Sequence, residues 1–306
     1  MTLAVLCSGQ GGQHPGMFDL TADLPAAQAV FAAAARLLGG DPRDLARAGG
    51  GRPHENRAGQ ILCCVAALAA WTIVAEAAPA RTIVAGYSIG DLAAWGCAGR
   101  FSAGTVLGLA AARAEAMDAA SGPNYGLAGI RGLTQARAAA LAEAQGCHLA
   151  IRNAPDSVVV GGPDHALEAV CRAALAVGAQ RAVVLPVRTP SHTPLLAKAA
   201  SHFRDALMAA PRETPPRPGP RLVSGLDGAA VFDVGAGLDK LARQIARTID
   251  WAACLEACGE YGATTVLELG PGRALATMAA TALPDARVRG LEDFRSAEGV
   301  AEWLAG

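Results

Sequence analysis

Residues 86–90 have the sequence GYSIG, a G-x-S-x-G pattern in which a serine can act as a nucleophile. A β-branched run at 82–85 precedes the pattern and a helical pattern follows at once, which predicts a tight turn from strand to helix. We expect Gly86 and Gly90 to be required because a Cβ at either position would collide with neighbouring elements. The alternative is a glycine-rich turn with an ordinary serine. The strand before the pattern and the helix after it favour Ser88 as the catalytic nucleophile.

A nucleophilic serine needs a general base, and His192 is the histidine with the most suitable surroundings. It follows a predicted strand, and the next two residues, Thr193 and Pro194, suit the N-cap and the first position of a helix. The positive potential at a helix N-terminus favours the neutral imidazole, the form that accepts a proton. The other histidines are interpreted as ordinary surface residues: His14, His54, His148, His165 and His202.

The glycine-rich segment CSGQGGQ, at 7–13, follows the first predicted strand. Backbone N–H groups of such a loop can converge on an anion, and the residue after an elbow nucleophile is a usual second donor. We therefore predict an oxyanion hole formed by the backbone N–H groups of Gln10 and Ile89. The alternative is a phosphate-binding loop, but neither GxGxxG nor GxxxxGK[ST] occurs here.

A helix is predicted over 102–119, and Arg113 lies on its apolar stripe, in line with Val106 and Met117. A buried arginine without a partner is costly, so Arg113 needs a carboxylate from the protein or from a ligand. Guanidinium and carboxylate pair through two hydrogen bonds, which would let the site select a dicarboxylic acyl group. The pattern equally allows an arginine that extends its head group to solvent at the edge of the core.

Short apolar strands alternate with alanine-rich helical stretches, which predicts an α/β fold with an at least partly parallel sheet. Its predicted strands are 3–7, 82–85, 221–224 and 265–269. The proline-rich segment 211–220 is predicted to be a surface loop between elements.

The middle of the chain has a different pattern, with predicted elements in the order β-α-β-β-α-β. They are strands at 127–131, 148–152, 157–161 and 181–187 and helices at 134–145 and 163–177. We predict an α/β-hydrolase-like large domain with a parallel sheet and a nucleophile elbow, formed by 1–123 and 190–306. A ferredoxin-like small subdomain is inserted at 124–189.

Composition narrows the class of protein. The 306 residues are 52% hydrophobic and 17% charged, the opposite of a disordered chain, and the net charge of -1 gives no reason to expect nucleic acid. The apolar run 61–75 is shorter than the roughly 18–20 residues that span a bilayer, so we interpret it as a buried helix. The start has no basic n-region of a signal peptide. Eight cysteines without a CxxC pair are interpreted as free, buried thiols. We therefore expect a cytoplasmic protein with no membrane partner.

Taken together, these segments resemble the malonyl-CoA:acyl carrier protein transacylase family, related to polyketide synthase acyltransferase domains, over nearly the whole chain. The similar segments are CSGQGGQ (7–13) to FPGQGSQ, GYSIGD (86–91) to GHSLGE, Arg113 in ARAEAM, Asn153 with VVVGG (158–162) in the small subdomain, PSH (190–192) with the base, and LELGPGRAL (267–275). The resemblance implies the same two-part fold.

The resemblance also implies ping-pong acyl transfer. Malonyl-CoA would bind with its free carboxylate on Arg113, and Ser88 would attack the thioester while His192 takes its proton. The malonyl ester on Ser88 would then pass to the pantetheine-type thiol of an acyl carrier protein. No metal or bound cofactor is required.

The chain departs from the family pattern at several positions. Tyr87 replaces the elbow histidine, Cys7 and Ser8 replace Phe-Pro, and Asp250 is assigned to a position where fatty-acid enzymes carry glutamine. In the family this last position orients the histidine through its main-chain carbonyl, a role that we expect Asp250 to serve. The segments GYSIGDLAAWGCAG and RTIDWAACLEAC are more similar to the epsilon subunit of malonate decarboxylase, which loads malonyl onto a dedicated carrier subunit. We expect that context, with a fatty-acid-synthesis transacylase as the alternative.

Two alternatives belong to other classes. A serine hydrolase, either a thioesterase or a patatin-like lipase, is suggested by 49–52 (GGGR) and 227–229 (DGA). However, GGGR follows a helical stretch and not a strand, and a patatin would leave Arg113 and His192 without roles. A non-catalytic carrier-binding subunit is the second alternative, and the intact set of Ser88, His192 and Arg113 argues against it.

Overall fold

The computed structural model describes residues 1–214 and 219–306, and in these ranges ten strands form two five-stranded sheets. The strands are β1 (Leu3–Cys7), β2 (Thr82–Gly86), β3 (Tyr125–Arg131), β4 (His148–Ala154), β5 (Ser157–Pro163), β6 (Arg181–Val184), β7 (Arg221–Leu222), β8 (Ile249–Asp250), β9 (Thr265–Glu268) and β10 (Arg287–Gly290). The helices are α1 (Gln28–Leu38), α2 (Pro42–Ala48), α3 (Asn56–Ala77), α4 (Ile89–Cys97), α5 (Ala103–Ala120), α6 (Gln135–Glu143), α7 (Asp164–Ala176), α8 (Ala197–Ala209), α9 (Val234–Arg243), α10 (Trp251–Glu260), α11 (Ala274–Ala282) and α12 (Ala297–Ala305).

The first sheet is parallel throughout, with the order β10-β9-β1-β2-β7. Every residue of β1 and β2 is buried, as expected for central strands covered by helices on both faces. The predicted parallel α/β sheet is therefore confirmed. Strand β7 ends two residues earlier than predicted because Val223 pairs with Ala230 in an antiparallel bridge. Strand β10 was not predicted from the sequence because it is an edge strand with exposed arginines at 287 and 289.

The second sheet has the order β6-β3-β5-β4-β8. Its first four strands are joined as β3-α6-β4-β5-α7-β6 and pair antiparallel, which confirms the predicted ferredoxin-like arrangement. Strand β8 adds to this sheet parallel to β4, although it lies far along the chain at Ile249–Asp250. The second sheet therefore uses residues outside 124–189, and the domain boundaries at 123 and 190 stay a prediction.

Helix α3 forms the centre of the main core. Among the described residues it alone has the length and apolar composition to cross a membrane, and 78% of its most apolar window is buried inside the protein. A helix that is apolar on all sides suits a core position, so the predicted buried helix at 61–75 is confirmed. All eight cysteines lie in the described ranges as free, buried thiols.

The predicted proline-rich loop is described only in part. Residues 211–214 and 219–220 have no regular secondary structure, in agreement with a loop. Residues 215–218 lie outside the described ranges.

Candidate active site

The elbow that was predicted from GYSIG is present. Strand β2 ends at Gly86, helix α4 begins at Ile89, and Ser88 between them has φ 56° and ψ -118°, a conformation that non-glycine residues rarely adopt. A Cβ on Gly86 would overlap the backbone of Gly90, and a Cβ on Gly90 would overlap the carbonyl of Cys7. Both glycines are therefore required by close packing, and the turn leaves Ser88 partly exposed.

His192 lies against the serine, with Oγ of Ser88 and Nε2 of His192 2.8 Å apart. On the other side of the ring, Nδ1 is 2.5 Å from the main-chain carbonyl oxygen of Gln244. A carbonyl can only accept a hydrogen bond, so Nδ1 carries the proton and Nε2 has a free lone pair. This tautomer can accept the proton of the Ser88 hydroxyl. The imidazole is further held by its backbone, because the N–H of His192 donates to the carbonyl of Ile245 at 2.8 Å.

The role expected of Asp250 is wrong, because the carbonyl that orients His192 belongs to Gln244. Asp250 instead caps helix α10, where its side chain accepts from the N–H of Ala253 at 3.1 Å, and it lies 3.7 Å from Arg152. A glutamine is thus present at the orienting position, six residues before Asp250. The turn between α9 and β8 has no sequence pattern strong enough to show which carbonyl faces the ring.

Burial keeps the imidazole neutral. Burial, with a smaller contribution from the positive charge of Arg113, lowers the pKa of His192 from 6.5 to about 3, and the hydrogen bond to Gln244 partly opposes this shift. The expected helix N-terminus is a short 3-10 turn, Pro194–Leu196, with Pro194 in the first position. The hydroxyl of Thr193 donates to the carbonyl of Pro190 and does not cap that turn.

This low pKa predicts an unusual pH profile for acylation of Ser88. An ordinary imidazole with a pKa of 6.5 would be only about 3% neutral at about pH 5, whereas His192 stays almost fully neutral there. We therefore expect the acylation rate constant to change by less than about twofold between about pH 8 and about pH 5. Stopped-flow measurement with malonyl-CoA, with circular dichroism at each pH to verify the fold, tests this expectation. A fall of tenfold or more in the folded protein would contradict it.

The glycine-rich loop after β1 passes directly beside the elbow. A Cβ placed on Gly9 would lie 3.5 Å from Cβ of Ser88 and 2.8 Å from the carbonyl of Tyr87. Within the described ranges, the backbone N–H groups of Gln10 and Ile89 have no hydrogen-bond partner. The two backbone N–H groups predicted as oxyanion donors therefore have no acceptor among the described residues. One lies in the glycine-rich loop and the other at the start of α4, and both segments adjoin the serine.

A buried carboxyl that no sequence pattern indicated anchors this loop. Glu268, at the end of β9, has no exposed surface, and one of its oxygens accepts from the hydroxyl of Ser8 at 2.5 Å. Its other oxygen accepts from the N–H of Ala276 at 2.7 Å, in the first turn of α11. Burial raises the pKa of Glu268 to about 7, and these hydrogen bonds lower it in part. Ser8 stands where the family has proline, and here a hydrogen bond holds the loop.

Arg113 points into the core of the protein, as the helical stripe predicts, and is 1% exposed. Its Nη1 donates to Oε1 of Gln60 at 2.7 Å, and its Nη2 is buried with no partner in the part of the chain that the structure describes. Burial lowers the pKa of Arg113 to about 10, so the side chain is cationic at neutral pH. A buried, charged donor without an acceptor is available to pair with an anionic group.

The second sheet contacts the elbow through Tyr87. Its hydroxyl donates to Oδ1 of Asn153, at the end of β4, at 3.1 Å. These two residues, together with Gln10, line a cavity of about 450 Å³. Three arginines also line the cavity: Arg131, Arg181 and Arg273. The cavity is thus bordered by both sheets and by the glycine-rich loop.

The segments that suggested a patatin-like lipase have other roles. Residues 49–52 follow the C-terminus of α2, with Gly49 as its C-cap, and they do not follow a strand. Asp227 is 43% exposed, and its carboxylate is occupied by an ion pair with Lys240 at 2.7 Å. The hydrolase alternative therefore has no second set of catalytic groups in these segments.

Comparison with known proteins adds an independent observation. No family model matches the sequence. The malonyl CoA-acyl carrier protein transacylase of Salmonella typhimurium is 30% identical to this chain over 280 residues, which are 89% of this chain and 90% of that protein. The protein of the same name from Mycobacterium tuberculosis is 30% identical over 286 residues, 90% of this chain and 92% of that protein.

Two solved structures that are similar to this chain also bear the names of malonyl-transfer enzymes. The acyl-carrier-protein S-malonyltransferase of Burkholderia pseudomallei superposes with a TM-score of 0.90, covers 99% of this chain and 100% of its own, and is 29% identical. A malonyl-transacylase in complex with its type II polyketide synthase acyl-carrier protein superposes with a TM-score of 0.90, covers 99% of each chain and is 27% identical. The two-sheet architecture is therefore shared along the whole length.

Proposed function

This chain belongs to the malonyl CoA-acyl carrier protein transacylase family, and we propose that it moves malonyl from malonyl-CoA to the pantetheine-type thiol of an acyl carrier protein through an ester on Ser88. The observation that carries this proposal is the pairing of Ser88 Oγ with Nε2 of a neutral His192 at 2.8 Å. That pair is the minimum needed for nucleophilic acyl transfer.

In the first half-reaction, Nε2 of His192 takes the hydroxyl proton as Oγ of Ser88 attacks the thioester carbonyl carbon. The resulting oxyanion accepts from the backbone N–H groups of Gln10 and Ile89, which have no other partner among the described residues. The carbon–sulfur bond then breaks, and the proton on Nε2 passes to the departing sulfur. Coenzyme A leaves as a thiol and the malonyl ester remains on Ser88.

In the second half-reaction the thiol of the carrier replaces coenzyme A. Nε2 of His192 takes the thiol proton as the sulfur attacks the ester, and the same proton returns to Oγ of Ser88 when the carbon–oxygen bond breaks. Each proton that leaves a nucleophile is thus delivered to a leaving group. The cycle needs no metal or bound cofactor.

Arg113 is the proposed partner of the malonyl carboxylate. Its Nη1 is already bonded to Gln60, and Nη2 is the buried donor that lacks an acceptor among the described residues. A carboxylate that meets Nη2 would satisfy this group, whereas the methyl group of acetyl would leave it unpaired. The cost of an unpaired buried donor gives a physical reason for preferring malonyl.

The cavity beside Tyr87 is the proposed path of the pantetheine arm. Its wall contains Arg131, Arg181 and Arg273, which suit the phosphates of coenzyme A or of a carrier's prosthetic group. Because malonyl-CoA and acyl carrier proteins are intracellular, we propose a cytoplasmic location.

The identity of the carrier is a separate question. The curated relatives support a general acyl carrier protein more directly than a malonate decarboxylase carrier subunit, because they are named transacylases of the former. The finding that Gln244 occupies the orienting position also removes one departure from fatty-acid enzymes. The malonate decarboxylase context rests on the resemblance of the segments GYSIGDLAAWGCAG and RTIDWAACLEAC to the epsilon subunit of that enzyme. We retain it as the second candidate.

Intact-protein mass spectrometry after mixing with malonyl-CoA tests the proposal. We expect the mass to rise by one malonyl group, and the adduct to be discharged when a carrier thiol is added. Parallel reactions with a fatty-acid carrier protein and a malonate decarboxylase carrier subunit compare the two contexts, and the faster discharge identifies the acceptor. Absence of an adduct would indicate a non-catalytic binding subunit, and release of free malonate without a thiol would indicate a hydrolase.

A further inference from the structure

The acyl-transfer steps assign no role to Asp91, whose carboxylate is buried at the start of the helix that follows Ser88. It lies in the first turn of α4, three residues after Ser88, and is 1% exposed. Its Oδ2 accepts two hydrogen bonds, from the backbone N–H of Gly225 at 3.0 Å and from Nε2 of Gln244 at 2.8 Å. From sequence, Asp91 suits only the positive end of the helix dipole, and its burial against Gln244 indicates a more specific task.

Gln244 is the residue that connects this carboxylate to the base. Its main-chain oxygen accepts from Nδ1 of His192, and its side-chain amide donates to Asp91. It is the C-cap of α9, so its carbonyl lies at the negative end of a ten-residue helix. A chain of hydrogen bonds therefore runs from the elbow helix through Asp91 and Gln244 to the imidazole that contacts Ser88.

We propose that Asp91 is a positioning residue for acyl transfer: its carboxylate holds the Gln244 side chain and so keeps the Gln244 carbonyl aligned with Nδ1 of His192. This inference rests on the proposed function, because it assigns a role within the same reaction. Asp91 does not touch the substrate.

The Gln244 carbonyl needs to be held in place because it lies at the end of a helix. The last carbonyls of a helix have no intrahelical partner and the last turn frays easily, so a carbonyl there changes direction with small backbone rotations. His192 accepts a proton on Nε2 during each half-reaction, and the Nδ1–H must stay directed at a partner that stabilises the imidazolium. In many serine enzymes a carboxylate performs this task directly. Here the Nδ1–H of His192 donates to the neutral main-chain carbonyl of Gln244. The carboxylate of Asp91 bonds the Gln244 side chain instead of the imidazole, and it acts by fixing that carbonyl.

Asp91 holds the Gln244 side chain through a hydrogen bond, and its negative charge is not required for this role. Both accepted bonds fall on Oδ2, while Oδ1 of Asp91 is buried without a partner among the described residues. Burial raises the pKa of Asp91 to about 7, and a proton on Oδ1 would leave both bonds in place. Asparagine can present its carbonyl oxygen in the same position as Oδ2. The charged and titratable groups that face Asp91 are Arg113 on α5, Asp227 after β7, Cys7 on β1 and Cys254 on α10.

The test compares Asp91→Ala with Asp91→Asn. We expect alanine to lower the rate constant for acylation of Ser88 by about 10- to 100-fold with KM for malonyl-CoA changed less than about threefold, because substrate binding does not involve Asp91. Asparagine should restore the rate to within about threefold of wild type, since it keeps the hydrogen bonds. Gln244→Met keeps the main-chain carbonyl but removes the amide, so it should reproduce the loss seen with alanine even if Asp91→Ala folds poorly.

A double variant and a spectroscopic signal separate positioning from general damage. Asp91→Ala combined with Gln244→Met should be no slower than the slower single variant, because each substitution removes the same hydrogen bond between Asp91 and Gln244. The Nδ1 proton of His192, which lies in a short hydrogen bond, should give a low-field NMR signal that moves upfield in Gln244→Met and stays in Asp91→Asn.

Asp233→Ala is the matched control, because Asp233 caps the opposite end of α9 by accepting from Ala236 at 2.7 Å. It should lower thermal stability and leave the rate and the signal unchanged.

The outcomes are distinguishable from failure of the proposed function. If wild type forms no malonyl adduct, the proposed function itself fails. If wild type is acylated but Asp91→Ala and Gln244→Met react at its rate, the positioning role is wrong. Equal losses in Asp91→Asn and Asp91→Ala would also overturn it, because they would show that the negative charge and not the hydrogen bond matters.

Discussion

Ser88→Ala is expected to form no malonyl adduct and to lower malonyl transfer by about 10⁴- to 10⁶-fold, since the variant has no hydroxyl at the elbow to carry the ester. His192→Ala should lower the acylation rate by a comparable factor, because Oγ would then lose the base that lies 2.8 Å away. The two residues act as a unit, so the double variant should be about as slow as either single variant. Adduct mass and stopped-flow acylation rates measure all three.

A serine elsewhere in the cavity provides the control. Ser157 lines the same cavity as Tyr87 and Gln10, and its hydroxyl has no histidine partner among the described residues. Ser157→Ala should keep the malonyl adduct at full amplitude, because the ester forms on Ser88. An adduct of full amplitude on Ser88→Ala would contradict the assignment and would require another nucleophile.

Arg113→Ala is expected to reverse much of the preference for malonyl over acetyl. Truncating one partner of a buried, hydrogen-bonded charge pair costs about 2–5 kcal/mol, so kcat/KM for malonyl-CoA should fall by about 30-fold or more. Transfer of acetyl should rise relative to malonyl, because the methyl group no longer meets an unpaired guanidinium and the desolvation penalty of that group is gone. Competition between malonyl-CoA and acetyl-CoA, with both adducts resolved by mass, measures the ratio.

Arg113→Lys tests whether the shape of the guanidinium matters beyond its charge. Nη1 is held by Gln60 and Nη2 is left for the ligand, a division that a single ammonium group cannot reproduce. We therefore expect the lysine variant to keep an intermediate malonyl preference. Survival of the full wild-type preference in Arg113→Ala would show that another group binds the carboxylate.

The local patterns of the chain predicted the elbow at Ser88 and put Arg113 on the apolar stripe of its helix, although they equally allowed its head group to extend to solvent. An elbow is encoded by adjacent residues, because a β-branched run, two glycines and a helical pattern leave few ways to turn at Ser88. The direction of Arg113 follows from the helical period, which puts it on the same face as Val106. The alternation of strands and helices likewise predicted eight of the ten described strands, and it missed β8 and β10, which lie at sheet edges.

The partners of these groups were decided by the tertiary structure. Gln244 and Asp91 are 153 positions apart in the chain, and Ser8 and Glu268 are 260 apart, so no local pattern shows that they meet. The orienting carbonyl was wrongly expected at Asp250 for the same reason, since every residue has a carbonyl and only packing directs one of them at His192. The neutral state of that histidine was expected from a helix terminus, but burial from all sides imposes it. Amino-acid types and spacing thus determined which groups could react, and the close packing of distant segments decided their tautomer, their charge and the hydrogen bonds that hold them in place.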